Sequence, residues 1–228
     1  MNMRKVFIVF FYLVLTVSLL SCVSSNLTKG EQYNRFYDEK PLVLLVMPPI
    51  NNTTKIEAKE LLYTSICQPL SEAGYYVIPP FAAMEVFKNE SAYDAEMFLD
   101  SPLGVFKDYF GADAVIFSQI DEWEKILAGI HIKVSYLVKS TKTNEVLFER
   151  SCDLVVDMTV NSSGSILGMV MEMAAATLEA ALTDEIVAAR IANEAVFSDL
   201  PLGKYHPRYL QDINDKAKAK DIVSTIHR

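Results

Sequence analysis

The sequence predicts an α/β domain: a mixed sheet of about five strands that opens with a βαβ unit, closes with an antiparallel hairpin and is covered by helices, the last of them long. Three patterns predict it. Two short apolar runs, LVLLVMPPI (42–50) and YYVIPP (75–80), each contain paired prolines near their ends and enclose a stretch with helical spacing. Residues 130–138 and 145–158 alternate apolar with polar, the mark of strands with one wet face. Over 165–197 a helical wheel separates charged from apolar residues.

Taken in order, the first strand is apolar throughout and therefore buried on both faces. Pro48-Pro49 and Asn51-Asn52 then turn the chain. Ala58, Leu62, Ile66 and Leu70 recur every fourth residue over 54–73 and predict a helix, with Pro69 as its weak point and Gly74 as its C-cap. YYVIPP supplies a second strand, parallel to the first. Phe81, Met84 and Phe87 space a short helix over 81–89; Pro102–Phe110 form another, capped by Ser101 and ended by Gly111. ADAVIFSQIDEW (112–123) is the third strand, and STKTNE turns 130–138 back into 145–158 as a hairpin. In the long helix Glu172, Glu179, Arg190 and Glu194 share one stripe, and Ala174, Leu178, Ala188, Ala192 and Val196 lie opposite, against the sheet. Asp184 and Glu185 fall outside the charged stripe, so a break with Thr183 as a new N-cap is the alternative. Ile186, Val187 and Ile191 fall outside the main apolar face. They are candidate contacts with another element or another subunit.

Residues 1–21 have the anatomy of an export signal: Arg4 and Lys5, an apolar run from Val6 to Leu20, then Leu19-Leu20-Ser21 before Cys22. A spanning helix needs about 20 apolar residues, more than this run supplies. LLSC resembles the bacterial lipobox, which implies that Cys22 becomes a lipidated first residue. An ordinary signal peptide with a bystander cysteine and an uncleaved anchor are the alternatives. Val23, not Asp, follows Cys22, so the inner-membrane retention residue of many Gram-negative lipoproteins is absent. The expected place is the outer membrane, with the domain facing the periplasm. Residues 22–40 are polar and aperiodic and are expected to form a tether. The single domain spans 41–197. The rest, 198–228, with Pro201, Gly203, Pro207 and the mixed-charge helical run LQDINDKAKAK, is expected to be a surface segment.

Removal of 1–21 leaves 19 basic against 29 acidic residues. Such a chain is a poor nucleic-acid binder, because phosphate contacts supply most of that affinity. Cys67 lies on a helix and Cys152 on the apolar side of a strand; they read first as two buried free thiols acting as small hydrophobes, with one disulfide, which export permits, as the alternative. His131, His206 and His227 stand at no metal-ligand spacing, and no cofactor motif is present. NSSGSILG (161–168) lacks the Lys-Ser/Thr ending of a P-loop and the Gly-x-Ser-x-Gly frame, and reads as a strand-to-helix loop capped by Ser162, Ser163 or Ser165. Asp121, Glu122 and Glu124 surround the only tryptophan, Trp123, where an apolar strand leaves the core. A solvated strand end accounts for the carboxylates better than acid/base chemistry does. Trp123 is a candidate partner contact, or a cap on the core. No catalytic constellation emerges.

The lipobox cysteine Cys22, MPPINNTT (47–54), GYYVIPP (74–80), GADAVIFSQIDEW (111–123) and LPLGKYHPRY (200–209) together resemble a family of bacterial lipoproteins of unknown function that includes a meningococcal vaccine antigen. The resemblance implies a small periplasm-facing α/β domain, similar to the amino-terminal domain of the Tol-system β-propeller protein and to the curli-secretion lipoprotein. Such domains bind proteins and assemble envelope complexes, and the family offers no catalytic residues to carry over. The expectation is therefore a non-enzymatic lipoprotein: a protein-binding, self-associating subunit of an envelope transport, secretion or assembly complex. A carrier of apolar ligand, with GSILGMVMEM (164–173) lining a cavity, is the first alternative. A hydrolase using Asp121, Glu122, Glu124 or a serine of the 161–165 loop is the second.

Overall fold

The structure, a computed structural model, describes residues 27–89, 94–127, 129–157 and 178–227, with backbone alone for 178–184 and 227. Residues 1–21, Cys22, Met158 and the 161–173 stretch lie outside the described residues. The chain forms α1 (Lys29–Gln32), α2 (Asn34–Glu39), β1 (Val43–Val46), β2 (Ile50–Asn51), α3 (Glu57–Ser65), α4 (Cys67–Glu72), β3 (Tyr76–Val77) and α5 (Pro80–Asn89). A 3-10 turn (Ala95–Phe98), α6 (Gly104–Phe110), β4 (Ala114–Ile126), β5 (Gly129–Ser140), β6 (Val146–Asp157), α7 (Leu178–Phe197) and β7 (Asp221–His227) follow.

The strands make one mixed sheet in the order β3-β1-β4-β5-β6-β7, with β2 also on β4. The first strands are parallel, β4, β5 and β6 antiparallel, and β7 parallel to β6. The α/β class, the βαβ opening and the closing hairpin hold. The sheet has seven strands instead of five because LVLLVMPPI is two strands and the C-terminal segment adds another. Met47 N–H still donates to Ile116 C=O at 2.9 Å; Pro48 and Pro49 have no N–H to offer, so pairing lapses and resumes at Ile50↔Gln119.

Two cores flank the sheet. The larger holds the inner faces of α3, α4 and α7 against Ile116, Ile120, Ile132, Val134, Tyr136, Phe148 and Leu154. The smaller packs Phe87 and Phe106 from α5 and α6 against Leu45, Val115 and Phe117. Strand β1 and the first half of β4 are therefore covered on both faces, as their composition demanded. The alternation of β5 is kept: Ile130, Ile132, Val134, Tyr136 and Val138 are all buried.

Several sequence expectations are corrected. The region assigned to a tether contains α1 and α2, and Tyr33, Phe36 and Tyr37 enter the main core, so the folded unit begins before residue 41. Thr28 caps α1 through a reciprocal capping box with Glu31. The 54–73 helix is interrupted at Ile66: Pro69 cannot donate to Ser65 C=O, and its ring crowds that carbonyl. Ala58, Leu62, Ile66 and Leu70 are nonetheless all buried. Ser101 does not cap α6; its hydroxyl donates to Met97 C=O, and Asn144 Oδ1 accepts Leu103 N–H at 2.8 Å instead. Helix α7 runs unbroken through Thr183. Glu185 leaves the charged stripe because it is 1% exposed and paired with Lys55 at 3.1 Å and Lys125 at 2.9 Å.

The described part of the C-terminal segment, 198–227, is neither helical nor peripheral. It crosses the N-terminal helices as an irregular strap, with Asp199, Leu200, Asp212 and Ala217 buried, and ends in β7. Lys29, also buried, reaches Asp212 at 3.3 Å and Asp199 at 3.9 Å, while Tyr33 Oη donates to Asp199 at 2.8 Å. Buried charges persist when paired and hydrogen-bonded. This pairing is what lets so polar a segment enter the interior.

Candidate functional site

Among the described residues, helices cover both sides of the sheet only over β1 and the first half of β4. Beyond that, one face of β4, β5, β6 and β7 has no helix of the described residues upon it. The side chains on this open face follow from strand parity: Glu122 and Glu124 from β4, His131, Lys133, Ser135 and Leu137 from β5, Glu149, Ser151 and Asp153 from β6, Asp221 and Val223 from β7. The irregularity between Ile120 and Glu122 turns Trp123 inward, opposite Ile132, and Glu122 outward.

Two features mark the face. One is a charge ladder across three strands: Glu122 Oε2 lies 3.2 Å from His131 Nδ1, and His131 Nε2 lies 2.7 Å from Asp153 Oδ1, with Lys133 at 3.9 Å from Glu122. The other is a trough of about 390 Å³ whose lining includes Leu99, Phe117, Gln119, Ser135, Leu137, Ser151 and Asp221. Ser151 Oγ donates to Asp221 Oδ1 at 2.7 Å and Lys220 pairs with Glu149 at 3.5 Å along its rim. Its lining mixes apolar side chains with hydrogen-bonding ones. Such a surface can bind a polypeptide.

The sequence-nominated residues do not converge there. Trp123 is 5% exposed within the main core, so it is a core residue and not a partner contact. Ile186 and Ile191 pack against that same core, and Val187 is half-buried beside them. Cys67 and Cys152 are free, the unbridged alternative; burial pushes the Cys152 thiol up to about 12. Asp121 accepts from Asn52 at 3.2 Å and Gln119 at 2.7 Å, and Glu122 belongs to the ladder. These carboxylates are solvated strand-end groups holding local structure. No cluster of metal-binding residues occurs among the described residues.

What the sequence reading missed is Arg150. It lies on the buried parity of β6 between Phe148 and Cys152, a position that could have flagged it. Its guanidinium donates to Ala195 C=O and Val196 C=O at the end of α7 and to Ala219 C=O ahead of β7. Together with Ser198, whose Oγ donates to Ala195 C=O at 2.7 Å, it satisfies the C-terminal carbonyls of α7 and fixes the strap beside the sheet.

The quoted motifs have structural tasks. In MPPINNTT, Asn51 Oδ1 accepts from Thr53 and Asn51 Nδ2 donates to Lys55 C=O at 2.8 Å. In GADAVIFSQIDEW, Asp113 Oδ2 accepts Leu42 and Val43 N–H, both at 2.9 Å, joining β1 to β4. GYYVIPP and LPLGKYHPRY meet: Gly203 N–H donates to Ala73 C=O at 2.7 Å and Tyr205 N–H to Gly74 C=O at 3.0 Å.

Residues 31–204 match the family model described as Putative lipoprotein GNA1162-like. The chain belongs to this lipoprotein family. A relative, the putative lipoprotein NMB1124/NMB1162 of Neisseria meningitidis serogroup B, is 33% identical over 91 residues. That match covers 40% of this chain and 42% of the relative, so the chain spans under half the length of the curated relative it matches. The crystal structure of lipoprotein GNA1162 from Neisseria meningitidis is similar at 24% identity and a TM-score of 0.47, covering 65% of this chain and 99% of that one. A PelC dodecamer from Paraburkholderia phytofirmans is similar at 16% identity and a TM-score of 0.31, covering 49% of this chain and 68% of that one.

Proposed function

We propose that this GNA1162-family chain is a lipid-anchored subunit of an envelope transport, secretion or assembly complex that works by binding protein, not by catalysis. Cys22 carries the lipid, in the outer membrane, and the domain faces the periplasm. The observation that carries the binding role is the open face of β4–β7, where the trough and the charge ladder offer hydrogen-bonding side chains around an apolar floor. Glu122, Glu124, Glu149, Asp153 and Asp221 outnumber Lys133 on that face and Lys220 on the trough rim. The partner is therefore a protein surface that presents basic and hydrogen-bonding groups.

A photo-crosslinking residue placed at Ser135, on the trough, and separately at exposed Glu60 of α3 tests this in cells producing the full-length protein. A defined envelope protein trapped from position 135 and not from position 60 is the expected result. Equal trapping from both positions, or none from either, contradicts it.

A further inference from the structure

The run LQDINDKAKAK belongs to the strap and brings three lysines to the start of the described chain. Residues 27–29 lie antiparallel to 215–217: Thr28 bridges Lys216, Ala217 N–H donates to Leu27 C=O at 2.9 Å, and Lys29 N–H donates to Asp215 C=O at 2.9 Å. Ala217 is buried, whereas Lys216, Lys218 and Lys220 stand exposed at alternate positions next to Leu27, itself exposed. The acids around them are engaged. Asp215 is balanced by Arg208 at 3.0 Å and Glu149 by Lys220 at 3.5 Å, a pair more than half exposed on both sides and so weakly held. Glu31 is tied into the capping box of α1, and Asp221 accepts from Ser151 on the open face. Lys216 and Lys218 have no ion-pair partner among the described residues, in a chain whose net charge is −8.

We propose that Lys216, Lys218 and Lys220 form a contact surface for the anionic phospholipid headgroups of the bilayer in which Cys22 is anchored. The inference rests on the lipid at Cys22 proposed above. Five peptide steps separate Cys22 from Leu27, and fully extended they span at most about 18 Å. A domain of about 200 residues has a radius of gyration of about 16 Å, so a link this short keeps the side that carries Leu27 turned to the membrane. The three lysines lie on that side. Link length thus selects the surface that meets the bilayer, and its charge selects the lipid. A lipid chain backed by a basic patch supplies the two signals that stable anchoring uses. The remainder of the chain is acidic and is repelled by headgroups of like sign, so the lysines also fix which way the domain is oriented.

The test uses the full-length lipidated protein reconstituted in vesicles, with a photo-crosslinking residue at one of three positions. Ser24 stands next to the anchor, exposed Ala219 between Lys218 and Lys220, and Glu57 is the distant control. Glu57 pairs through Lys55 with Glu185, which lies about 20 Å along α7 from Ser198, the residue to which Lys218 Nζ donates at 2.9 Å. In vesicles of phosphatidylethanolamine and phosphatidylglycerol, lipid adducts from position 219 are expected at several times the yield from position 57. That excess is expected to vanish in phosphatidylcholine vesicles, in about 0.5 M salt, and when Lys216→Gln, Lys218→Gln and Lys220→Gln are combined, while adducts from position 24 persist throughout. Adducts from 24 with no excess from 219, or an excess indifferent to anionic lipid and to the triple substitution, overturn the proposal and leave the anchor standing. Absence of adducts from 24 overturns the anchor, and the proposal with it.

Discussion

Single residues deep in the interior make sharp predictions. Lys29 neutralises two buried carboxylates, Asp199 and Asp212. Lys29→Met strands those charges and should cost about 3–5 kcal/mol in denaturant unfolding of the full-length chain; a loss within error of zero would mean that the carboxylates find other partners. Gly203 lies against the turn at Gly74, whose φ is +90°. A Cβ at position 203 would stand 2.4 Å from Gly74 C=O, so Gly203→Ala should destabilise by about 1–3 kcal/mol. The buried acids add a pH dependence. Burial raises the Cys152 thiol to about 12 from an ordinary 9.0 and holds the Tyr75 and Tyr136 phenols well above their usual value. Each keeps its proton longer folded than unfolded, so its stabilisation is full below the unfolded value and is lost as pH rises towards the folded one. The urea midpoint should be level at neutral pH and fall from about pH 9 upward, less steeply in Cys152→Ala.

Between elements, the junction of α3, α7 and β5 is polar and buried. Asn193 Oδ1 accepts Tyr136 Oη at 2.5 Å, and Asn193 Nδ2 donates to Leu62 C=O at 3.1 Å and Ser65 Oγ at 2.8 Å. Asn193→Leu leaves those groups unsatisfied and should cost about 1–3 kcal/mol, read by the same unfolding assay. Periodicity made the elements legible wherever one side chain set faced one environment: β5, β6 and the Ala188–Ala192–Val196 face of α7 were all visible as patterns. It failed where charge enters the interior. Glu185, Arg150, Lys29, Asp199 and Asp212 look like solvent residues until their partners, far away in sequence, are known. The aromatic trio Tyr33, Phe36 and Tyr37 was hidden for a different reason, since helices of four and six residues are too short to show a period. β7 was obscured by the polar strap before it and by having only one face to bury.

For the whole molecule, N-terminal helices, strap and β7 are one device. The chain enters the core at Tyr33 and is clasped there by its own C-terminal segment, Lys29 reaching Asp199 and Asp212 and the 203–205 stretch hydrogen-bonding to the 73–74 turn. The open face of β4–β7 remains for the partner proposed above. The candidate face was only partly legible in the sequence. Its wet alternation was evident, but the trough arises from the sheet's uneven helical cover, a property of topology, and Trp123, the residue most suggestive of contact, turned inward at an irregularity in β4 pairing. The most direct test of the central claim is a crosslinking pull-down from intact cells with the full-length anchored protein, run beside Cys22→Ala. The account predicts that a defined envelope protein is recovered with the anchored chain and lost with Cys22→Ala. Recovery of the same proteins from both, or of none from either, would contradict it.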